Sequence, residues 1–274
     1  MEKRILYKYY PDSTYFPYER IVRFSSRNSL NDPFEIRPSL EALSLYAKNQ
    51  LGRELADNEL EKILNSDYEG LFKGYGGPSI FNDFGVFCLS ETRTNLLMWS
   101  HYANSHKGFV VGFDSSHPFF NQNLGPSSDF CGIDVGKVHR VNYDNFRSNN
   151  SHEPTNWYLQ KSDEWIYEKE HRIILPLNRC DKLIRLGVDG KVLTTMSNSN
   201  EIGNTDNLGH EQHICQFEVP ADAIASITIG AETSQSLWMG IKNYFTNLPN
   251  RHKHFILEKA FVSTNRFEIE IYGG

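Results

Sequence analysis

Cysteine is scarce. Cys88, Cys131, Cys180 and Cys215 are scattered through 274 residues without a Cys-x-x-Cys pair. That pattern gives no disulfide framework and no zinc ribbon, and free buried thiols in a cytoplasmic protein are its simplest account. Long apolar runs are missing too. Nothing approaches the ~20 residues that cross a bilayer, and Met1-Glu2-Lys3-Arg4-Ile5-Leu6-Tyr7 lacks the apolar core of a signal peptide. No membrane partner is expected. Nor is there a basic excess: 28 Lys and Arg stand against 34 Asp and Glu, a net charge of −6. No global field attracts nucleic acid, although a local basic groove stays open. Without repeat, linker or composition break, residues 1–274 read as a single domain.

What is abundant is aromatic: 18 Phe, 14 Tyr and 4 Trp. Such residues suit a half-buried pleated surface, so substantial strand content is expected. Ile5–Tyr10 and Ile21–Phe24 read as strands. Leu30-Asn31-Asp32-Pro33-Phe34-Glu35 reads as a polar corner in which Asn31 and Asp32 bond nearby backbone amides. Residues 39–72 carry helical spacing, and Gly74-Tyr75-Gly76-Gly77-Pro78 breaks it. This predicts a helical insertion over about 39–80. Phe84–Ser90 is the best buried strand. A helix follows over 96–106, with Thr94 as its cap and Gly108 past its end. Phe109–Phe113 and Lys137–Tyr143 return to strand, with a long loop over 114–136 between them. Residues 189–213 are polar and aperiodic and predict a flexible loop. Strands at 224–230, 255–261 and 267–272 and a helix from Ser234 to Asn247 complete the chain. The fold class is α+β, a mixed and mainly antiparallel β core with helical insertions.

The centre of the chain is Trp165-Ile166-Tyr167-Glu168-Lys169-Glu170-His171-Arg172-Ile173-Ile174-Leu175. Read as one strand, it puts Glu168, Glu170 and Arg172 in a row on one face. Two carboxylates so close require a cation or a shared proton. A helical reading would instead stack Glu164, Glu168 and Arg172 as an ordinary ladder. The Ile and aromatic content and the stop at Pro176 favour the strand. No metal ligand set is assigned. His101 and His106 are five apart, wrong for one helical face, and His210 and His213 sit where strand onset would turn them apart.

Several of these motifs together resemble a bacterial family, the domain of unknown function 2971: Leu6-Tyr7-Lys8-Tyr9, Leu30 to Glu35, Phe87-Cys88-Leu89-Ser90-Glu91, Leu97-Met98-Trp99-Ser100-His101-Tyr102-Ala103 and Trp165 to Arg172. The resemblance spans residues 5–175. It brings an association with mobile elements and phage defence, and no activity. A second resemblance is to mono-ADP-ribosyltransferases, which build a split β-sandwich around NAD. Their order of Arg, Ser-x-Ser/Thr and Glu-x-Glu is similar to Arg23 (or Arg20), Ser90-Glu91-Thr92 and Glu168-Lys169-Glu170 here. Arg23 lies on the second strand rather than the first, where Lys8 is the substitute, and no ligand-clasping loop is identified.

The transferase resemblance implies an NAD-consuming enzyme, a toxin or phage-defence effector, with NAD as substrate and a protein or nucleic-acid acceptor. Glu170 would be the catalytic carboxylate, Glu168 the activator of the acceptor and Ser90 the orienter. Lys8, Tyr9, Arg23, Asn31, Asp32, Trp99, His101, Tyr102 and Arg172 would line the substrate. An alternative is a non-catalytic module that senses a nucleotide or partner in the same pocket. A second alternative is a metal-dependent nuclease using Asp32, Glu168, Glu170 and Lys169.

Overall fold

Both faces of the first strand are covered, and that organises the molecule. Leu6 and Tyr10 of β1 (Ile5–Tyr10) enter one apolar core, while Tyr7 and Tyr9 enter another. The computed structural model describes residues 4–14, 16–36, 39–59, 84–124, 135–147, 155–203, 205, 208, 212–247 and 256–273. After β1 come β2 (Ile21–Phe24), β3 (Phe84–Ser90), β4 (Phe109–Asp114), β5 (Val138–Arg140), β6 (Asn142–Tyr143) and β7 (Gln160–Lys161). Next are β8 (Glu170–Pro176), β9 (Lys182–Leu186), β10 (Val192–Met196) and β11 (His213–Glu218). The chain closes with β12 (Ile224–Ile229), β13 (Ile256–Val262) and β14 (Ile269–Gly273).

The protein is mixed α+β, dominated by an eight-stranded sheet in the order β14-β13-β12-β4-β1-β3-β8-β5. Its pairings are antiparallel except β12 with β13. A four-stranded sheet, β10-β9-β11-β2, lies against it, and β6 and β7 form a short parallel pair. Leu6, Phe87, Phe113 and Ile173 from the large sheet share a core with Val22, Phe24, Leu183 and Phe217 from the small one. The Phe24 ring lies 4.4 Å from Phe217 and 5.5 Å from Phe87. Gly85 permits this approach: a Cβ there would meet Leu177 Cδ2 at 2.5 Å and Phe24 Cβ at 3.1 Å. On the other face of the large sheet, the Leu96–Tyr102 helix packs Met98 and Trp99 over Tyr9, Val110 and Ala260. Among the described residues, no helix is long and apolar enough to cross a membrane.

The central stretch is not one strand. Ser162 caps a 3₁₀ helix, Asp163–Glu168, by accepting the Glu164 amide, and Asp163 and Glu164 suit its first turn. Lys169 then takes a left-handed conformation (φ 45°), and β8 begins only at Glu170. Strand propensity in Trp, Ile and Tyr yields here to a capped turn.

Other boundaries shift for similar reasons. The insertion's first helix, Leu40–Leu51, starts at Ser39 and stops at Gly52, whose φ is 69°. The remainder expected over 60–80 lies outside the described residues, as do Cys131 and His210. The helix expected over 96–106 ends at Tyr102, because Asn104, Ser105 and His106 all have positive φ. Its cap is Asn95, not Thr94: Asn95 Oδ1 accepts from Leu97 and Met98 N–H. Within 189–213, expected as a loop, β10 pairs with β9 and Ser199–Gly203 is helical.

Candidate active site

β1 and β3 meet at one register position, Tyr7 opposite Ser90. The next rung, Tyr9 opposite Cys88, is not made. Further along, β3 pairs instead with the chain leaving β2, where Ser25 and Val86 exchange both backbone hydrogen bonds. By the two-residue alternation of an antiparallel ladder, the Cys88 amide and carbonyl face this open rung. The splayed strands leave a cleft of about 190 Å³. Lys8, Tyr9, Asn31, Cys88, Ser90 and Tyr102 line it together with Glu35, Lys161, Glu168 and Glu170.

The acidic floor is a network of three carboxylates and two cations. Lys161 Nζ lies 2.5 Å from Glu168 Oε2, 3.0 Å from Glu170 Oε2 and 3.3 Å from Glu35 Oε1. The first two are hydrogen bonds and the third an ion pair. Arg172, fully buried, donates from Nε to Glu170 Oε1 at 2.8 Å and from a terminal nitrogen to Glu170 Oε2 at 3.1 Å. It also donates to the Tyr158 carbonyl at 2.8 Å and to Glu35. The Tyr102 hydroxyl donates to Glu168 Oε1 at 2.6 Å. The Glu170 amide donates to the Tyr143 hydroxyl at 2.7 Å.

Three negative charges against two positive leave one in excess, and the surroundings decide which acid carries the strain. Burial would raise the Glu170 carboxyl, but Arg172 and Lys161 outweigh it and hold Glu170 well below the usual carboxylate range. Burial wins at Glu168, whose carboxyl is pushed up despite Lys161. Burial opposes charge on Lys161 as well, yet Glu170, Glu35 and Glu168 together raise it. Tyr102 is raised by burial and by the adjacent Glu168. Burial pushes the Cys88 thiol up to about 12. Two acids two residues apart therefore hold protons with opposite tendencies, the pattern expected of an acid–base pair.

Of the residues singled out in the sequence, Lys8, Tyr9, Asn31, Ser90, Tyr102, Glu168 and Glu170 come together around this cleft. Arg172 stands behind it as a clamp. Ser90 does not touch a carboxylate. Its hydroxyl donates to the Glu168 backbone carbonyl at 2.6 Å and accepts from the Thr92 amide, so it fixes the turn that presents Glu168. Tyr9 is buried and donates to the Thr92 carbonyl. Trp99 belongs to the core, its indole N–H spent on the Arg93 carbonyl at 2.8 Å. His101 is exposed and packs its ring near Tyr102 and Tyr167. Arg23 is exposed on the small sheet and does not line the cleft, because Val22 and Phe24 take the inward positions of β2. Asp32 makes the expected Asx turn with the Phe34 amide, but lines a neighbouring cavity.

Sequence reasoning missed Lys161 and underused Glu35. The one signal was electrostatic and not local: two acids beside a single guanidinium call for a second cation. Among the described residues, no group of three His, Cys, Asp or Glu is arranged to hold a metal ion. The space between the three carboxylates is taken by the Lys161 and Arg172 charges.

Fold and site define a class: an α+β protein whose large, mostly antiparallel sheet parts over a buried, charged cleft. Residues 98–173 match the family model described as Protein of unknown function (DUF2971), so over that segment the chain is similar to that family. The matched segment carries Tyr102, Lys161, Glu168, Glu170 and Arg172. No curated protein and no solved structure matches the chain.

Proposed function

We propose that the cleft binds a nucleotide and that the protein is an NAD-consuming enzyme of the ADP-ribosyltransferase or NAD glycohydrolase type. The observation that carries this reading is Glu168: a desolvated carboxylate facing the cleft, held between the Tyr102 hydroxyl and the Lys161 ammonium. The parting of β1 from β3, with the second sheet packed behind, supports a split-sandwich arrangement of the ADP-ribosyltransferase kind. The role first expected for Glu170 passes to Glu168, because the buried Arg172 guanidinium forks onto both Glu170 oxygens, whereas Glu168 has no guanidinium partner among the described residues. The role of Arg23 passes to Lys8, which lines the cleft and has no carboxylate partner among the described residues.

In this reading the C1′–nitrogen bond of the nicotinamide riboside breaks with its electron pair leaving on nicotinamide. The oxocarbenium-like sugar faces the acidic floor, which stabilises developing positive charge. Water or an acceptor hydroxyl then bonds to C1′ and gives its proton to Glu168, whose raised carboxyl makes it a better proton acceptor than Glu170. The test is nicotinamide release from NAD by the purified chain. Glu168→Gln is expected to lower it at least about 100-fold, as loss of an acid–base group does. Undiminished release by that variant would remove the assignment.

A second reading has its own observation. Every carboxylate of the floor is already hydrogen-bonded, which also suits a site that binds without reacting. Thermal stabilisation by NAD with no product by mass spectrometry would favour this sensing module. The nuclease alternative loses ground to Lys161 and Arg172, which neutralise the acids that a metal would need.

A further inference from the structure

Behind the acidic floor lies a second cavity of about 250 Å³. It shares Glu35 and Lys161 with the cleft and is otherwise lined by different residues, among them Asp32, Phe34, Phe146 and Arg147. Asp32 is 6% exposed, yet only one of its oxygens is used: Oδ1 accepts the Phe34 amide at 2.8 Å, and Oδ2 is buried without a partner among the described residues. A buried carboxylate oxygen left unbonded is costly, so the site favours whatever supplies a donor. Lys161 does not reach it: its ammonium donates to Glu168 and Glu170 and pairs with Glu35 at 3.3 Å. The Arg147 guanidinium lies over the Phe34 ring, 5.2 Å from its centre, with no carboxylate contact among the described residues. That ring therefore already accommodates a planar cation on its face. Phe34 and Phe146 are 61% and 83% exposed, so both rings keep surface at the rim, Phe34 with one face under Arg147.

The geometry points to a second binding site here, for a planar, multiply N–H-bearing cation of the guanidinium class, with Asp32 Oδ2 as its acceptor and Phe34 and Phe146 as its stacking walls. A guanidinium matches a carboxylate in shape and charge and stacks on aromatic faces, which an ammonium does less well. It is supplied either by a free small molecule or by an arginine side chain of a peptide. The site stands independently of the chemistry proposed for the cleft, and its test uses no NAD.

The experiment is calorimetric titration of the full chain with agmatine, with N-carbamoylputrescine (same shape, neutral ureido group) and with a short arginine peptide. Agmatine is expected to bind at least about tenfold more tightly than the neutral compound, a difference of about 1.4 kcal/mol. A peptide tighter than agmatine identifies an arginine side chain as the natural occupant, and the reverse order a free guanidinium compound. Asp32→Asn, which keeps an oxygen for the Phe34 amide, should weaken agmatine about tenfold or more. Phe146→Ala, at an exposed rim position, should weaken it in a protein of unchanged stability. Glu168→Gln should leave it unchanged. The inference is overturned if both compounds bind alike, if no binding appears at millimolar concentration, or if Glu168→Gln abolishes binding and Asp32→Asn does not.

Discussion

Lys161 Nζ sits 2.5 Å from Glu168 Oε2, joining the end of one short strand to the last residue of a 3₁₀ helix seven positions later. That contact closes the Ser162–Glu168 turn over the cleft and puts the ammonium within reach of Glu170 and Glu35 as well.

Lys161→Met would leave three buried carboxylates with one guanidinium. Removing one partner of a buried ion network typically costs about 3–5 kcal/mol, since an uncompensated charge stays behind. Urea unfolding at pH 8 should show a loss of that size. Acid should narrow it, because protonating a carboxylate relieves the excess charge.

Arg172→Lys keeps the charge and loses the fork. Lysine cannot serve Glu170, Glu35 and the Tyr158 carbonyl together from one nitrogen on a flexible stem. A loss of about 2 kcal/mol or more is expected from the same unfolding measurement.

The two acids should respond to pH with opposite sign. Glu170 titrates below its ordinary 4.5 in the folded chain, so its contribution is present above 4.5 and lost as pH falls. Glu168 titrates above 4.5, so its contribution is full below 4.5 and lost as pH rises through the elevated value. Relative to wild type, Glu170→Gln should therefore grow more destabilising from pH 3 to pH 8, and Glu168→Gln less so. Chemical unfolding of both variants at the two pH values decides it; parallel curves would refute the split.

Cys88 lines the cleft, yet burial pushes its thiol up to about 12. Its thiolate fraction at neutral pH is correspondingly small. Iodoacetamide at pH 7.5 should leave Cys88 unmodified in the folded protein over the minutes needed to label the urea-unfolded chain, as read by peptide mass spectrometry.

How much of this was legible in the sequence depends on the kind of signal. Strands with clear apolar character, such as Phe84–Ser90 and Ile224–Ile229, stand where their residues place them. So does the Ser234-capped helix, Gln235–Thr246. The left-handed turn at Lys169 was hidden, because lysine carries no mark of positive φ as glycine does. Glu168 and Glu170 reach one cleft nonetheless, by a turn rather than by alternation along a strand. Lys161 escaped notice because its partners lie seven, nine and 126 residues away, and no local period links them. The open rung between β1 and β3 is a property of pairing, which a single chain's pattern does not display.

The central claim is that Glu168 and Glu170, bridged by one lysine at one cleft, are driven to opposite protonation behaviour. The direct measurement is a carbon-13 NMR titration of the glutamate side-chain carboxyls in the full chain, assigned by comparison with Glu168→Gln and Glu170→Gln. The account predicts one resonance titrating above 4.5 that vanishes in Glu168→Gln, and one still ionised well below 4.5 that vanishes in Glu170→Gln. Two resonances titrating together near 4.5, as free surface glutamates do, would contradict it.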